Sequence, residues 1–314
     1  MVAYLFAGQG AQYVSMGKDL YDTFPESKAI FDKAQDVLGW DLRARCFEGP
    51  EEMLKTTEIC QPAVLTMSIA AFEAFKAVAG APIEDVGFTS GLSLGEYSAL
   101  VASGVLKFED AVRAVQKRAD LMNSAALKNP GKMAAIIGLD AGIIKEICFN
   151  TQGVEIANLN CPGQVVISGQ KESVDCARDL ALEKGAKRAV DLDVSGAFHS
   201  SLMREAAEEF KDYIKDNLPL QEPEIPVVSN VDAIPKTKIV QFRESLVKQI
   251  YSSVLWEDSM RFMLSQGITK FYEFGPGKVL KGLMRRIDPK AEVINIGKKE
   301  DVLNLNKGEV SNAS

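Results

Sequence analysis

The chain has 314 residues, with 36 Lys and Arg against 43 Asp and Glu, and therefore a formal charge of −7. Apolar residues make up 46% and charged residues 25%, a globular composition that excludes wholesale disorder. The acidic excess argues against a nucleic-acid partner, whose binding surface would be basic.

From the sequence we expect no secretory signal, no membrane span and no zinc site. The first ten residues lack the basic region of a secretory signal, and the longest mostly apolar stretch, residues 62–72, is shorter than the roughly 20 residues of a membrane span. The five cysteines form no CxxC pair and have no neighbouring histidine. We therefore expect a cytoplasmic protein with reduced, mostly buried thiols, no membrane contact and no metal site.

Short β-type runs alternate with longer helical patterns, which predicts an α/β fold with a largely parallel sheet. The first predicted elements are a strand at 3–7, helices at 25–38 and 61–79, a strand at 86–90, a helix ending at 103, and a helix at 109–126. The next six are expected at 133–139, 141–149, 154–160, 164–169, 172–184 and 187–194. They follow the strand-helix-strand-strand-helix-strand order of a ferredoxin-like unit.

The last predicted elements are a helix at 201–217, a strand at 226–230, helices at 244–250 and 256–266, a strand at 270–274, a helix at 279–287 and a strand at 293–296. We expect residues 1–127 and 197–300 to form one large, discontinuous, α/β-hydrolase-like catalytic domain. Residues 128–196 would form an inserted ferredoxin-like subdomain, and the polar residues 301–314 a frayed tail.

The segment Gly91-Leu92-Ser93-Leu94-Gly95 has the form G-x-S-x-G and lies between a predicted strand and a predicted helix. Such a turn lifts the serine hydroxyl out at the carboxyl edge of the sheet, and its glycines avoid clashes. The N-terminus of the following helix favours a developing oxyanion there. We interpret Ser93 as a nucleophile; the alternative is a glycine-rich turn with a capping serine.

A serine nucleophile needs a base, and His199 is the only histidine in the chain. A lone histidine is more often structural, but only an imidazole has an unperturbed pKa suited to general-base work near neutrality. We therefore favour a Ser93–His199 dyad.

Two further features have alternative interpretations. Gly8-Gln9-Gly10 fails the nucleotide-binding pattern G-x-G-x-x-G because residue 13 is Tyr, so we favour a tight turn that brings a backbone N–H near Ser93. On the residues alone, Arg118 is a surface charge on an amphipathic helix.

With these motifs in place, the chain resembles the malonyl-CoA–acyl carrier protein transacylases over residues 2 to about 298. The matching segments are Phe6-Ala7-Gly8-Gln9-Gly10-Ala11-Gln12, Gly91-Leu92-Ser93-Leu94-Gly95-Glu96-Tyr97-Ser98-Ala99-Leu100, Lys117-Arg118, Met133-Ala134-Ala135-Ile136-Ile137-Gly138-Leu139, Asn160-Cys161-Pro162-Gly163-Gln164-Val165-Val166-Ile167-Ser168-Gly169, Ala197-Phe198-His199-Ser200, Gln249-Ile250-Tyr251 and Glu273-Phe274-Gly275-Pro276-Gly277. The chain departs from the family pattern at Leu92, where a histidine often precedes the serine.

The resemblance implies that a malonyl group moves from malonyl-CoA to the phosphopantetheine thiol of acyl carrier protein, supplying fatty-acid elongation. The route would be ping-pong through a malonyl-serine, without a cofactor, in a monomer. The implied roles are Ser93 as nucleophile, His199 as base, Gln249 as the residue whose carbonyl orients the imidazole, Gln9 and Leu94 as oxyanion-hole N–H donors, and Arg118, Phe198, Met122 and Asn160 as substrate-binding residues. Of these, Arg118 would pair with the malonyl carboxylate through two hydrogen bonds.

Two other functions share some of these motifs. An α/β-hydrolase esterase also has G-x-S-x-G, but its histidine normally lies late in the chain, and the inserted unit is foreign to it. A non-enzymatic acyl-binding domain would have no need of serine, histidine and arginine together. The sequence leaves open whether the carrier protein serves fatty-acid or polyketide synthesis.

Basic residues in two places could dock an acidic carrier protein on this acidic chain. They are Lys184, Lys187 and Arg188, at the end of the predicted inserted unit, and Lys278, Lys281, Arg285 and Arg286, on the helix after Gly277. Solvated helix faces are an equally good interpretation of both clusters.

Overall fold

Two separate β-sheets organise the chain in the computed structural model, which describes residues 1–80 and 85–305. The first part contains β1 (Val2–Phe6), α1 (Lys18–Thr23), α2 (Pro25–Leu38), α3 (Leu42–Phe47), α4 (Glu51–Leu54), α5 (Thr57–Ala79), β2 (Val86–Gly91), α6 (Gly95–Ala102) and α7 (Phe108–Lys128). The middle part contains β3 (Gly131–Ile137), α8 (Ala141–Asn150), β4 (Val154–Cys161), β5 (Gln164–Gln170), α9 (Lys171–Glu183) and β6 (Arg188–Asp191).

The last part of the chain begins with a short 3-10 helix, Ser201–Met203. It continues with α10 (Arg204–Asn217), β7 (Val227–Val228), β8 (Pro235–Lys236), α11 (Ile239–Gln249), α12 (Trp256–Ser265), β9 (Lys270–Phe274), α13 (Val279–Ile287), β10 (Glu292–Ile296) and α14 (Lys299–Leu303).

The larger sheet has the strand order β10-β9-β1-β2-β7-β8 and is parallel except for the β7–β8 pair. Strand β1 is buried along its whole length, as expected for a parallel strand covered by helices on both faces. Its last residue, Phe6, lies opposite Gly91 of β2 and Phe274 of β9. The loops that follow these three strands therefore meet at one edge of the sheet.

The smaller sheet has the order β4-β5-β3-β6, and all its pairs are antiparallel. Its own apolar core includes Ile136, Ile167 and Val174, packed between the sheet and α8 and α9. Main-chain hydrogen bonds also tie this sheet to the residue Val254, before α12: Val254 N donates to Ala157 O at 2.8 Å, and Leu159 N donates to Val254 O at 2.9 Å.

Helix α2 has the predicted bounds, whereas α5 begins at Thr57, four residues before the predicted start. Pro62 lies inside α5 and cannot donate to the carbonyl of Glu58, but the Gln116 side chain donates to that oxygen at 3.4 Å. By length and composition alone α5 could cross a membrane. However, 72% of its most apolar window is buried inside the structure, as in a core helix.

Other differences from the predicted elements are local. The short helices α1, α3 and α4 were not predicted, because four to six residues carry too little periodicity to detect. Helix α11 begins at Ile239 rather than 244, β6 ends at Asp191 rather than 194, and β7 has only two residues. The predicted frayed tail is wrong for residues 301–303, where α14 buries Val302; residues 306–314 lie outside the described residues.

Candidate active site

The turn of residues 91–95, which we call the elbow, leaves β2 so sharply that Ser93 has a φ of +50°. This left-handed conformation is uncommon for a residue with a side chain. Both flanking glycines are required by close approach: a Cβ on Gly91 would lie 2.0 Å from the Gly95 carbonyl oxygen, and one on Gly95 would lie 2.2 Å from the Phe6 oxygen. The elbow therefore places Ser93 at the carboxyl edge of the larger sheet.

Asn230, which follows the neighbouring strand β7, supports the elbow through two hydrogen bonds to its backbone. Its Oδ1 accepts the Ser93 backbone N–H at 2.6 Å, and its Nδ2 donates to the Gly91 carbonyl at 2.8 Å. The side chain is fully buried. The sequence analysis missed this residue, although its place at the end of a predicted strand in the same sheet was a usable signal.

The hydroxyl of Ser93 is hydrogen-bonded to the only imidazole of the chain. The Ser93 Oγ to His199 Nε2 distance is 2.7 Å, and His199 Nδ1 lies 2.8 Å from the backbone carbonyl of Gln249. Because a carbonyl only accepts, Nδ1 carries the hydrogen, and the lone pair of Nε2 faces Ser93. Gln249 is the last residue of α11, where helix carbonyls lack an internal partner.

The His199 imidazole is neutral at physiological pH. Burial, together with the nearby positive charge of Arg118, lowers the pKa of His199 to about 4. A neutral imidazole with its lone pair on a serine hydroxyl can remove the hydroxyl proton.

Arg118 is buried, with 1% of its surface exposed, so its interpretation as a surface charge is wrong. Its Nη1 donates to Gln61 Oε1 at 2.7 Å, and its Nη2 donates to Gln249 Oε1 and to Ser93 Oγ, both at 3.1 Å. Within the described part of the chain, no carboxylate forms a salt bridge with it. A buried cation beside a nucleophile, with only neutral oxygen partners, is suited to binding an anionic group of a ligand.

A cavity of about 110 Å³ opens onto these side chains. Its walls are Gln9, Gln61, Leu92, Ser93, Arg118, Met122, Met133, Asn158, Leu192, Val194, Phe198 and His199. The structure thus brings six of the expected site residues to one cavity. It also adds Gln61 and Asn158, which the sequence analysis did not single out.

Asn160, expected to bind substrate, does not line this cavity, and Asn158 of the same strand does. The pairing of β4 with β5 is irregular on both sides of Asn158 and Leu159, so the simple alternation of faces along β4 is not kept. Asn160 is 9% exposed, and its Oδ1 has no hydrogen-bond partner.

One of the two expected oxyanion donors lies in the elbow, and the other lies in a loop packed against it. Leu94 follows Ser93 directly, and Gln9 belongs to the loop after β1, which packs so closely that a Cβ on Gly8 would lie 2.3 Å from the Leu92 oxygen. Neither the Gln9 nor the Leu94 backbone N–H donates a hydrogen bond to another described group. Both N–H groups are therefore available to a ligand. Among the described residues, no group of three or more His, Cys, Asp or Glu side chains could hold a metal ion.

Comparisons with known proteins find one family model and several similar proteins. A family model described as "Acyl transferase domain" matches residues 3–286. The malonyl CoA-acyl carrier protein transacylase of Bacillus subtilis (strain 168) is 45% identical over 305 residues, which are 96% of this chain and 95% of that protein.

Two solved structures are also similar. An acyl carrier protein S-malonyltransferase from Vibrio cholerae superposes with a TM-score of 0.92 at 40% identity, covering 97% of this chain and 99% of the other. A malonyl-transacylase in complex with its type II PKS acyl-carrier protein superposes with a TM-score of 0.93 at 38% identity, covering 98% and 99%.

Proposed function

The chain belongs to the acyl transferase family of malonyl CoA-acyl carrier protein transacylases, and on that premise we propose that Ser93 carries the malonyl group between two substrates. The enzyme is an acyltransferase that moves malonyl from malonyl-CoA to acyl carrier protein. The observation that carries the assignment of Ser93 is its contact with both a neutral imidazole and a buried guanidinium, at 2.7 Å and 3.1 Å.

The reaction has two half-reactions of the same form. Ser93 Oγ attacks the thioester carbonyl while His199 Nε2 takes the hydroxyl proton; the C–S bond then breaks, and the departing coenzyme A sulfur receives that proton. In the second half, His199 takes the proton of the phosphopantetheine thiol and the sulfur attacks the malonyl ester carbonyl. The bond between that carbon and Ser93 Oγ then breaks, and the proton returns to Ser93 Oγ. The Gln9 and Leu94 N–H groups stabilise the oxyanion in both halves.

Arg118 selects the malonyl group by pairing with its terminal carboxylate. The planar guanidinium can form two parallel hydrogen bonds to a carboxylate, and burial strengthens that pair. Phe198 and Met122, which line the same cavity, pack against the short acyl chain. Asn158, and not Asn160, lines that cavity.

The direct test is the intact mass of the protein after mixing with malonyl-CoA. We expect the mass to rise by one malonyl group, and Ser93→Ala to abolish the rise. His199→Ala should slow acylation by about 10²–10⁴-fold, the usual contribution of a general base. Free malonate without a lasting adduct would indicate a hydrolase, and no reaction at all would indicate an acyl-binding domain. An adduct that Ser93→Ala retains would indicate that another residue is the nucleophile.

A docking surface for the carrier protein is supported by the convergence of the two basic clusters. Arg286 of α13 lies against Gly163, Gly163 lies against Gly138, and Gly138 lies against the Lys187 side chain. The lysines and arginines of both clusters are exposed. One basic surface thus bridges the two sheets and suits an acidic partner, which we take to be a phosphopantetheinylated carrier protein of fatty-acid elongation.

We also infer a finer description of the architecture. The order and pairing of β3 to β6 with α8 and α9 support a ferredoxin-like subdomain at residues 128–196. The strand–elbow–helix on a mostly parallel sheet supports an α/β-hydrolase-like catalytic domain from residues 1–127 and 197–300. We further propose that the enzyme acts as a cytoplasmic monomer without a cofactor beyond its substrates.

A further inference from the structure

Glu96 is a buried carboxylate that is connected to the reactive groups through Gln249, and it takes no part in the two half-reactions. It lies in the first turn of α6, three residues after Ser93, and is 1% exposed. Its Oε2 accepts hydrogen bonds from Gln249 Nε2 at 2.6 Å and from the Asn230 backbone N–H at 3.3 Å. Burial raises its pKa to about 7, even though these two hydrogen bonds, the Ser229 side chain and the positive charge of Arg118 all favour the carboxylate.

The Gln249 carboxamide stands between Glu96 and the reactive groups. Its Oε1 accepts from Arg118 Nη2 at 3.1 Å, and its Nε2 donates to the Ser93 carbonyl at 3.0 Å as well as to Glu96. A guanidinium only donates, and a carbonyl or carboxylate oxygen only accepts. Only one of the two orientations of the carboxamide therefore satisfies all its neighbours, and the short contact to Glu96 is its strongest anchor.

We propose that Glu96 is a positioning residue that acts through Gln249. Its carboxylate fixes the carboxamide so that Oε1 holds Arg118 against Ser93, and it thereby immobilises the residue whose backbone carbonyl orients His199. Glu96 touches neither substrate nor the reacting atoms. The inference rests on the proposed function, because Arg118 and His199 matter only if malonyl passes through Ser93.

A double-mutant cycle on malonyl transfer tests this coupling. Glu96→Ala should lower kcat/KM for malonyl-CoA by about 10–100-fold, the size expected for losing a hydrogen bond to a charged group. It should also lower the malonyl-to-acetyl ratio, because Arg118 loses its fixed position. Gln249→Ala should show a similar loss. The double variant should stay within about threefold of Gln249→Ala alone, since Glu96 has nothing left to position.

Glu96→Gln should recover most of the activity, because its side-chain oxygen can accept both hydrogen bonds. Glu96→Asp should not recover the activity, because the shorter side chain withdraws the acceptor by one methylene. If the alanine variant fails to fold, Glu96→Asp takes its place in the double-mutant cycle. Glu273, a fully buried carboxylate that caps α13 through the Leu280 and Lys281 N–H groups, gives the matched control. Glu273→Gln should leave the malonyl-to-acetyl ratio unchanged.

If the fold-loss in kcat/KM of the double variant equals the product of the two single losses, Glu96 acts independently of Gln249 and the proposal is overturned. An unchanged malonyl-to-acetyl ratio in a folded Glu96→Ala variant would overturn it as well. Both outcomes differ from failure of the proposed function, in which the parent enzyme itself would not transfer malonyl.

Discussion

At the residue scale, Arg118 is a buried charge that a bound anionic group would stabilise. A buried guanidinium without a direct ion pair costs several kcal/mol. The three hydrogen-bond acceptors of Arg118 are neutral oxygens of Gln61, Gln249 and Ser93, and the charge of Glu96 acts on it only from a distance. A malonyl carboxylate would offset that cost, whereas the methyl end of an acetyl group would not. Selectivity between the two thioesters should therefore depend on this one side chain.

Arg118→Ala should lower kcat/KM for malonyl-CoA by about 100-fold or more and raise relative acetyl transfer, because an apolar end no longer meets an unpaired cation. Arg118→Lys should restore malonyl transfer only in part, since a point charge cannot make the two-pronged contact. The measurement is kcat/KM for malonyl-CoA and acetyl-CoA with each variant. A malonyl-to-acetyl ratio within the scatter of the parent would mean that the carboxylate is held elsewhere.

The pKa of His199 leads to a second prediction at this scale. The base works only when neutral, so with its pKa at about 4 the acid limb of kcat/KM should lie well below the ordinary histidine value of 6.5. Arg118→Ala removes a positive charge that disfavours the imidazolium, and the limb should move to higher pH. Acetyl-CoA serves as the substrate for both enzymes, because it does not need Arg118. A limb at the same pH in both would contradict the electrostatic coupling.

At the scale of elements, the elbow and its pairing with His199 were predictable from sequence, whereas the hydrogen bonds that support them were not. The glycines of G-x-S-x-G reflect a local steric need, visible within five residues. Two of the three partners of Arg118 lie 57 and 131 residues away in the chain, and Asn230 lies 137 residues from Ser93. These contacts depend on how α5, α7, α11 and β7 pack, which single-sequence periodicity does not determine.

Asn230→Ala tests how much the elbow depends on its support from β7. The change leaves the Ser93 N–H and the Gly91 carbonyl unpaired, so the free energy of unfolding should fall by about 2 kcal/mol and kcat by about 10–100-fold. Asn295→Ala is the matched control, because the Asn295 side chain likewise makes two hydrogen bonds to backbone groups outside the elbow, in its case by donating to the carbonyls of Glu273 and Gly277. It should lower stability by a similar amount and leave kcat within about twofold. If Asn230→Ala and Asn295→Ala lower kcat equally, the loss reflects general destabilisation and not the support of the elbow by Asn230.

At the scale of the whole molecule, the basic surface that joins the two sheets should govern carrier-protein affinity. Arg286 donates to the Pro162 and Gly163 carbonyls and so holds a hairpin in place, which makes it a poor test position. Reversing the exposed charges Lys281 and Arg285 together should raise KM for the carrier protein by about 5–10-fold without changing KM for malonyl-CoA. If both KM values rise equally, the surface binds the phosphates of coenzyme A instead.

The cavity is shared unequally between the two sheets. Ser93, Arg118 and His199 belong to the part of the chain that builds the larger sheet, whereas Met133 and Asn158 face them from strands of the smaller one. One wall of the cavity can therefore change while the nucleophile, the base and the cation stay the same. A recombinant that takes residues 131–191 from a relative that prefers a different carboxylate-bearing acyl group should shift toward that group, and it should still discriminate against acetyl because it keeps Arg118.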